Sequence, residues 1–314
     1  MIRDFPELLA AARAVWARAP ARLAVVGADA GTALAAAMRA AAEGIVHPVL
    51  LGDEDRIRAV AEERGLDLAG AEWAPARDAE EAAASAAALA GAGEVGLLLK
   101  GSLRTDQLLH AVLDRRHGLR AGALLSDVLL YEDVLGGSRR LVAVTDGGIN
   151  PAPDRAMLVQ IVANAVMVLR ALGCERPRVA LLSATEVVTD AVPSTVVARE
   201  LAEAAVAGLP RHAPVCDIAG PLALDNALLP SAAVAKGIAG PVAGRADVLV
   251  VPTIEAGNIL GKAVKYFGGS ITAHVVMGAR VPVLIPSRVE SESDKLHSIA
   301  LGVLVRSARA EVEP

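Results

Sequence analysis

The chain has 314 residues and a formal net charge of −5, which gives no overall electrostatic reason to bind nucleic acid or an anionic membrane. It is 54% apolar but only 2% aromatic, so its core has to be built from Ala, Val, Leu and Ile, and no long apolar run predicts a membrane-spanning helix. The first 20 residues carry acids in amphipathic spacing rather than a signal-peptide core, and the two cysteines argue against a disulfide framework. We therefore expect a cytoplasmic protein.

Short apolar runs recur along the chain between alanine-rich segments with helical spacing. The runs predicted as buried strands are residues 22–28, 47–53, 95–101, 124–132, 140–148, 178–184, 246–253, 271–278 and 281–287. Helices are predicted at residues 79–90, 155–172 and 195–207. Apolar strands that alternate with helices indicate an α/β fold with largely parallel sheets covered on both faces. Gly and Pro interrupt the pattern in "TDGGINPAPD", which predicts a boundary between two domains that flank a cleft.

Polar loops follow several of these strands. They read "KGSLRTD", "TDGGINPAPD", "SATEVVTDAVPST", "GPLALDNAL", "TIEAGNILGK" and "PSRVESESDK". In parallel sheets ligands bind outside the carboxyl ends of strands, where backbone N–H groups, hydroxyls and helix N-termini can hold phosphate. Each loop alone fits ordinary turn and helix-cap chemistry. Their repetition after several strands indicates one convergent anion site.

The sequence lacks the motifs of several other kinds of functional site. "GNILGKA" imitates a phosphate-binding P-loop, but it has three residues between the glycines, and Ala263 stands where a hydroxyl is required. "VVGADAGTAL" lacks the full dinucleotide fingerprint, and no G-x-S-x-G nucleophile motif occurs. The six histidines show no short metal-ligand spacing, and His274 lies in an apolar run that favours a packed core residue. We predict no metal site.

The polar motifs occur in one order that resembles the phosphate acetyltransferase/phosphate butyryltransferase family. The motifs are "KGS", "TDGGINPAPD", "GPLALDNAL", "GPVAGRADVLVVP", "EAGNILGK" and Ser-Arg-(x5)-Asp, and together they span about residues 91–302. They look closest to the butyryltransferase-like branch. The resemblance implies reversible transfer of a short acyl group, acetyl or butyryl, between coenzyme A and inorganic phosphate. Both are substrates, and no further cofactor is implied.

The resemblance also implies a fold and an assembly. Family members are similar in fold to the isocitrate and isopropylmalate dehydrogenases, with two α/β domains around a cleft and a C-terminal segment that returns to the first domain. We therefore expect a first domain of residues 1–146 plus 286–314 and a second domain of residues 147–285. A homodimer or higher homo-oligomer is expected.

The family pattern assigns catalytic roles to the Ser-Arg-(x5)-Asp segment. Asp294 is the candidate base that removes the proton of the coenzyme A thiol, Arg288 offers a bidentate fork for phosphate, and Ser287 offers a hydroxyl. A helix-cap role for Asp294 stays open, and Glu290 and Glu292 are nearby acids. The predicted substrate-binding residues are Lys100, Gly101, Ser102, Thr145, Asp146, Asn150, Asn258 and Lys262.

Two positions depart from the family pattern. Several relatives carry His where this chain has Arg104, and they read "SHV" where this chain reads "SDV" with Asp127. Arg104, Arg115, Arg116 and Arg120 are candidates for the coenzyme A phosphates by charge alone. Two alternatives therefore remain: a catalytically silent paralogue that binds coenzyme A or phosphate, and a dehydrogenase on the related fold. The dehydrogenase would need a nicotinamide site and an acid cluster of the D-x3-D type in the right setting, which the sequence lacks.

Overall fold

The structure is a computed structural model that describes residues 1–121, 124–135, 139–208 and 215–310, except for the side chains of residues 206–208. The strands are β1 Arg22–Val26, β2 His47–Gly52, β3 Glu72–Pro75, β4 Leu97–Lys100, β5 Ser126–Asp133, β6 Arg140–Thr145, β7 Arg178–Leu182, β8 Asp217–Leu222, β9 Val248–Val250, β10 Thr272–Met277 and β11 Val283–Leu284. The helices are α1 Phe5–Trp16, α2 Gly31–Ala42, α3 Glu54–Arg64, α4 Ala79–Gly91, α5 Thr105–Leu113, α6 Arg155–Ala171, α7 Pro193–Gly208, α8 Leu224–Leu228, α9 Pro230–Ala235, α10 Ile254–Tyr266 and α11 Glu292–Ala310. None of the helices in these ranges is long and apolar enough to span a bilayer.

The chain forms two compact units. The terminal unit comprises Phe5–Ala123 and Ala273–Pro314, and the central unit comprises Met1–Asp4 and Leu124–Thr272. These bounds differ from those predicted for the domains. The β5–β6 hairpin belongs to the central unit because β6 pairs with β9, and β11 belongs to the terminal unit because it pairs with β4.

The sheet of the terminal unit has the strand order β3-β2-β1-β4-β11-β10. All neighbouring strands in it are parallel except β10 and β11, which are antiparallel. Helix α11 is buried from Asp294 to Val305 and packs on β4 and β11. Gly302 allows this close approach, because a Cβ there would lie 3.0 Å from side-chain atoms of both Leu97 and Leu284. Because β1, β4 and β11 are parallel neighbours, their carboxyl ends lie at the same edge of the sheet.

The sheet of the central unit has the order β5-β6-β9-β7-β8, and only the β5–β6 pair is antiparallel. Its core is aliphatic and includes Val142, Val144 and Leu249, with Tyr131 as its one aromatic member. Below this core, the buried carboxylate of Asp247 accepts a hydrogen bond of 2.7 Å from the Arg178 guanidinium. The charge of Arg178 thus compensates the buried negative charge of Asp247 at the amino end of β7.

The α/β class is confirmed, and each predicted strand and helix overlaps an observed one. Strands β3 and β8 were not predicted. Strand β3 reads "EWAP" and is partly exposed at the sheet edge, whereas β8 reads "DIAGPL", where Gly and Pro break the apolar run. Edge strands need no continuous apolar sequence, because a neighbouring strand covers only one side.

Candidate functional site

The loops after β1 and β4 are in direct backbone contact. A Cβ on Gly101 would lie 1.9 Å from the carbonyl oxygen of Gly27, and Gly27 has a left-handed φ of 73°. The N–H of Ser102 donates to that same oxygen at 2.9 Å. The Ser102 hydroxyl donates to Oδ1 of Asp29 at 2.6 Å, a partner that the sequence analysis missed. Glycine at both positions therefore brings the two loops together beside Lys100.

Lys100 is the last residue of β4, and it is only 5% exposed. Burial lowers the pKa of its ammonium group, and the positive charges of Arg288 and Lys295 lower it further, against the attraction of Glu290. Lys100 at the end of β4 thus lies close enough to Arg288, in the loop after β11, and to Lys295, in α11, for both positive charges to repel it. Such a cluster is stabilised by a bound anion.

Arg288 and Lys295 hold the loop after β11 in place. The Nη2 atom of Arg288 donates to the carbonyl oxygen of Ser102 at 3.3 Å, which joins this loop to the one after β4. The buried ammonium of Lys295 donates to the carbonyl oxygens of Ser287 at 3.0 Å and Glu290 at 2.6 Å. The sequence analysis did not name Lys295. A lysine in the first turn of a helix is disfavoured by the helix dipole, so its presence there could have indicated a specific role.

Asp294 lies in the first turn of α11 and is 1% exposed. Its Oδ2 atom accepts hydrogen bonds from the backbone N–H of Ser291 at 2.9 Å and from the Ser291 hydroxyl at 2.5 Å. The backbone N–H of Asp294 donates to the Ser291 hydroxyl at 3.2 Å. This reciprocal pattern is a capping box in which Ser291 is the cap. The base role of Asp294 stays a prediction.

Glu290 is a second buried carboxylate in this loop, and it is 6% exposed. Its Oε1 atom lies 3.4 Å from Nε2 of His274 on β10. Its Oε2 atom is buried and accepts no hydrogen bond from any residue that the structure describes. The sequence analysis treated Glu290 only as an acid near Asp294. Its pairing with His274 could not be predicted, because the two residues are far apart in the sequence.

The predicted residues at the end of β6 form a separate group in the central unit. The Thr145 hydroxyl donates to the carbonyl oxygen of Asp127 at 2.8 Å. The Asp146 carboxylate accepts from the N–H groups of Gly148 at 2.8 Å and Ile149 at 3.0 Å, and from the Asn150 amide at 2.5 Å. These side chains are buried and order the "TDGGIN" turn.

Asp146 has an unusual protonation equilibrium. Burial raises the pKa of its carboxyl group to about 6, with a further contribution from the charge of Asp127, and the hydrogen bonds of the turn oppose both. Asp127, where the chain departs from the family pattern, is itself buried. The departure therefore places a second acid beside Asp146.

Asn258 and Lys262 both lie on α10, four residues apart and on the same face, as their spacing predicts. Both are exposed. The Asn258 amide donates to the carbonyl oxygen of Gly147 at 3.3 Å, which joins α10 to the "TDGGIN" turn. The predicted substrate-binding residues thus fall into two groups, one in each compact unit.

Two of the four arginines proposed for coenzyme A are already paired. Arg104 forms an ion pair with Asp106 at 2.5 Å, and Arg116 forms one with Asp114 at 2.5 Å. Within residues 1–121, 124–135, 139–208 and 215–310, no group of three or more His, Cys, Asp or Glu side chains is arranged to hold a metal ion.

The fold is an α/β fold in which the cationic side chains of Lys100 and Arg288 lie at or after the carboxyl ends of the parallel strands β4 and β11. Residues 74–303 match the family described as "Phosphate acetyl/butaryl transferase", and the chain belongs to that family. It is 41% identical over 305 residues to a phosphate acetyltransferase of Rhizobium meliloti, covering 97% of this chain and 94% of the relative. It is 36% identical over 305 residues to a phosphate butyryltransferase of Clostridium beijerinckii, covering 97% of this chain and 98% of the relative.

Solved structures agree with this membership. A branched-chain phosphotransacylase from Enterococcus faecalis V583 superposes with a TM-score of 0.78 at 30% identity, covering 91% of this chain and 99% of that one. A 4-hydroxythreonine-4-phosphate dehydrogenase from Burkholderia phymatum superposes with a TM-score of 0.54 at 13% identity, covering 92% of this chain and 99% of that one. The second likeness concerns the fold alone, and it confirms the predicted relation to the dehydrogenase fold.

Proposed function

We propose that the protein transfers a short acyl group reversibly between coenzyme A and inorganic phosphate. The observation that carries the proposal is that Lys100 at the end of β4, Arg288 in the loop after β11 and Lys295 in the first turn of α11 come together, in a chain of this family. Cationic side chains gathered beside the loops after these strands suit a phosphate group.

In the direction of thioester synthesis, the thiol sulfur attacks the carbonyl carbon of an acyl phosphate. The carbon–sulfur bond forms, the bond between the carbon and the phosphate oxygen breaks, and the phosphate leaves with the electron pair. Arg288 and Lys100 stabilise the charge that develops on the phosphate, and the Ser287 hydroxyl donates to the carbonyl oxygen. Asp294 accepts the thiol proton, because a free thiol with a pKa near 8.5 is mostly protonated at neutral pH.

One assay separates this function from its alternatives. Acetyl phosphate or butyryl phosphate is mixed with coenzyme A, and thioester formation is followed by absorbance. NAD-dependent turnover is measured in parallel. Thioester formation supports the proposal, coenzyme A binding without turnover indicates a silent paralogue, and NAD reduction indicates a dehydrogenase. The reaction needs no metal or further cofactor in this scheme, so extensive chelation should leave turnover intact.

A homodimer is the proposed assembly, and the cytoplasm is the proposed location. An exposed apolar surface at the end of α10 supports the dimer. Phe267, directly after α10, is 92% exposed; Tyr266 at the end of the helix and Ile271 four residues further on are exposed as well, and the exposed Ile259 lies seven residues before Tyr266, on the same face of α10. The chain contains only two Phe and two Tyr, so one of each on a single exposed surface is unexpected for a monomer.

A further inference from the structure

A cavity of about 410 Å³ lies in the terminal unit, at the amino ends of β4 and β11. Gly96, directly before β4, and Pro282, directly before β11, are part of its lining. Its volume is in the range of small-molecule sites. The described residues that line it are Ala, Gly, Val and Pro, apart from the three arginines Arg280, Arg306 and Arg309. All the charge in the lining is therefore positive.

Two of these arginines lie near the end of α11, three residues apart and hence on one face of the helix. Nη1 of Arg309 donates to the carbonyl oxygen of Ala279 at 2.6 Å. Arg306 packs against the backbone of Gly96, where a Cβ would lie only 2.2 Å from the Nε atom of the arginine. Contacts of this kind orient a guanidinium group without neutralising its charge.

Arg280 brings the third positive charge to the cavity from the segment between β10 and β11. Its side chain is exposed, and its Nη1 atom donates to the carbonyl oxygen of Gly118 at 3.4 Å. Within the part of the chain that the structure describes, neither Arg280 nor Arg306 forms an ion pair with a carboxylate. A cavity lined by charges of one sign concentrates ions of the opposite sign, here in a chain whose net charge is −5.

We propose that this cavity binds a small anion with two or more phosphate or carboxylate groups. A guanidinium group forms paired hydrogen bonds with either kind of group, and three of them around one cavity suit a ligand with more than one. The described lining includes no aromatic ring on which a nucleobase could stack. A strand rises about 3.3 Å per residue, so Gly96 and Lys100 lie about 13 Å apart along β4, and the cavity is distinct from the site proposed for the substrates.

The test is a calorimetric titration of the full chain with inorganic diphosphate and, separately, with citrate, at constant ionic strength set with chloride. The wild type is compared with Arg306→Gln, Arg288→Gln and Arg77→Gln. Arg77 is the matched control, because it is an exposed arginine of the same unit that pairs with Glu81 at 2.9 Å, outside the cavity. Arg306→Gln should weaken binding at one site by roughly ten- to a hundredfold, whereas the other two variants should leave that site unchanged.

The two probes distinguish the kind of ligand. Binding of diphosphate but not citrate supports a phosphorylated ligand, and the reverse supports a polycarboxylate. Equal losses in Arg306→Gln and Arg77→Gln would reduce the effect to general charge attraction and overturn the proposal. Binding that only Arg288→Gln abolishes would also overturn it, since the anion would then occupy the substrate site alone. A wild type that binds neither probe has the same consequence.

A second variant keeps the test decisive if Arg306→Gln does not fold. Arg280→Gln then takes its place, because the Arg280 side chain is exposed and its loss removes little packing. The expected effect on binding is the same, and an unchanged affinity in that variant contradicts the proposal.

The proposal does not rest on the proposed function. Without added diphosphate or citrate, Arg306→Gln should form thioester at the wild-type rate. A protein that binds diphosphate at this cavity but transfers no acyl group contradicts the proposed function alone. A protein that forms thioester but binds neither probe outside the substrate site contradicts the role of the cavity alone.

Discussion

Among the single residues of the site, Arg288 is the one whose contacts a lysine could reproduce least well. Its guanidinium reaches the Ser102 carbonyl and still has donors for phosphate, whereas an ammonium group is a point charge without the planar fork. Arg288→Lys should raise the KM for phosphate by roughly ten- to a hundredfold, which corresponds to about 1.5–3 kcal/mol. Steady-state kinetics at varied phosphate concentration measure this effect.

The control for Arg288→Lys is Arg77→Lys in the same compact unit. Arg77 is exposed and pairs with Glu81 at 2.9 Å, so its replacement should change neither kinetics nor folding. The thermal midpoint of Arg288→Lys should stay close to that of the wild type. Near-normal kinetics at low phosphate would mean that Arg288 does not bind the substrate.

Asp294 combines a structural position with a proposed chemical role, and the two can be separated. Asparagine can still accept the hydrogen bonds of Ser291 through its amide oxygen, but it cannot take a proton. Asp294→Asn should therefore lower kcat by about 100- to 10,000-fold with little loss of stability, and raising the pH should partly restore the rate. Ser291→Ala should show the reverse pattern, with a loss of about 0.5–2 kcal/mol of stability and a smaller change in kcat. Wild-type turnover in Asp294→Asn would restrict Asp294 to the capping box.

Asp146 predicts a dependence of stability on pH. Its folded-state pKa of about 6 lies above the ordinary value of 3.8, so the folded state holds the proton more tightly than the unfolded state. Its contribution is fully present below about pH 4 and is lost as the pH rises through about 6, by an amount on the order of 2–3 kcal/mol. Urea unfolding between about pH 4 and 7.5 should show the wild type losing stability relative to Asp146→Asn over this window.

The matched variant for this measurement is Asp127→Asn. The charge of Asp127 contributes to the raised pKa of Asp146, so its removal should move the transition to lower pH. A difference between wild type and Asp146→Asn that does not vary with pH would show that Asp146 ionises normally.

At the scale of elements, the site depends on how closely the ends of β1 and β4 approach. A side chain on Gly101 would meet backbone atoms of Gly27, which cannot move aside as a flexible side chain can. Gly101→Ala should cost about 1–3 kcal/mol of stability and weaken phosphate binding, because it displaces Lys100 and Ser102. Thermal unfolding and phosphate titration measure the two effects.

Gly31→Ala provides the control for Gly101→Ala. The three atoms nearest to the added Cβ all belong to the end of the Arg64 side chain, which can rotate away. This variant should remain close to the wild type in stability and in phosphate binding. Equal losses in the two variants would indicate that backbone approach at Gly101 is unimportant.

At the scale of the whole molecule, the exposed surface at the end of α10 predicts self-association. Phe267→Ser should shift the sedimentation coefficient from that of a dimer toward that of a monomer, because burial of an aromatic side chain contributes strongly to an interface. Val234→Ser is the control, since Val234 is also highly exposed in the central unit but lies on α9 rather than on α10. A wild-type protein that sediments as a monomer would contradict the proposed assembly.

The sequence alone determined the α/β class, the positions of most strands along the chain, and the loops that carry Lys100, Ser102, Ser287 and Arg288. Local patterns suffice for these features, because a buried parallel strand is a continuous apolar run and its ligand-binding loop follows it directly. The Ser291–Asp294 capping box was also readable as a local motif, although the sequence analysis considered a cap role only for Asp294, as the alternative to its role as base.

Tertiary structure decided which of these loops meet and which buried groups surround them. Arg288 and Ser102 are 186 positions apart, and only the pairing of β11 with β4 brings their loops together. The contact of Glu290 with His274 depends in the same way on the placement of β10, and the extent of the compact units depends on the pairing of β6 with β9. Hydrogen bonds between strands set these neighbours, and burial then lowers the pKa of Lys100 and raises the pKa of Asp146, so neither property is encoded in any short stretch of the chain.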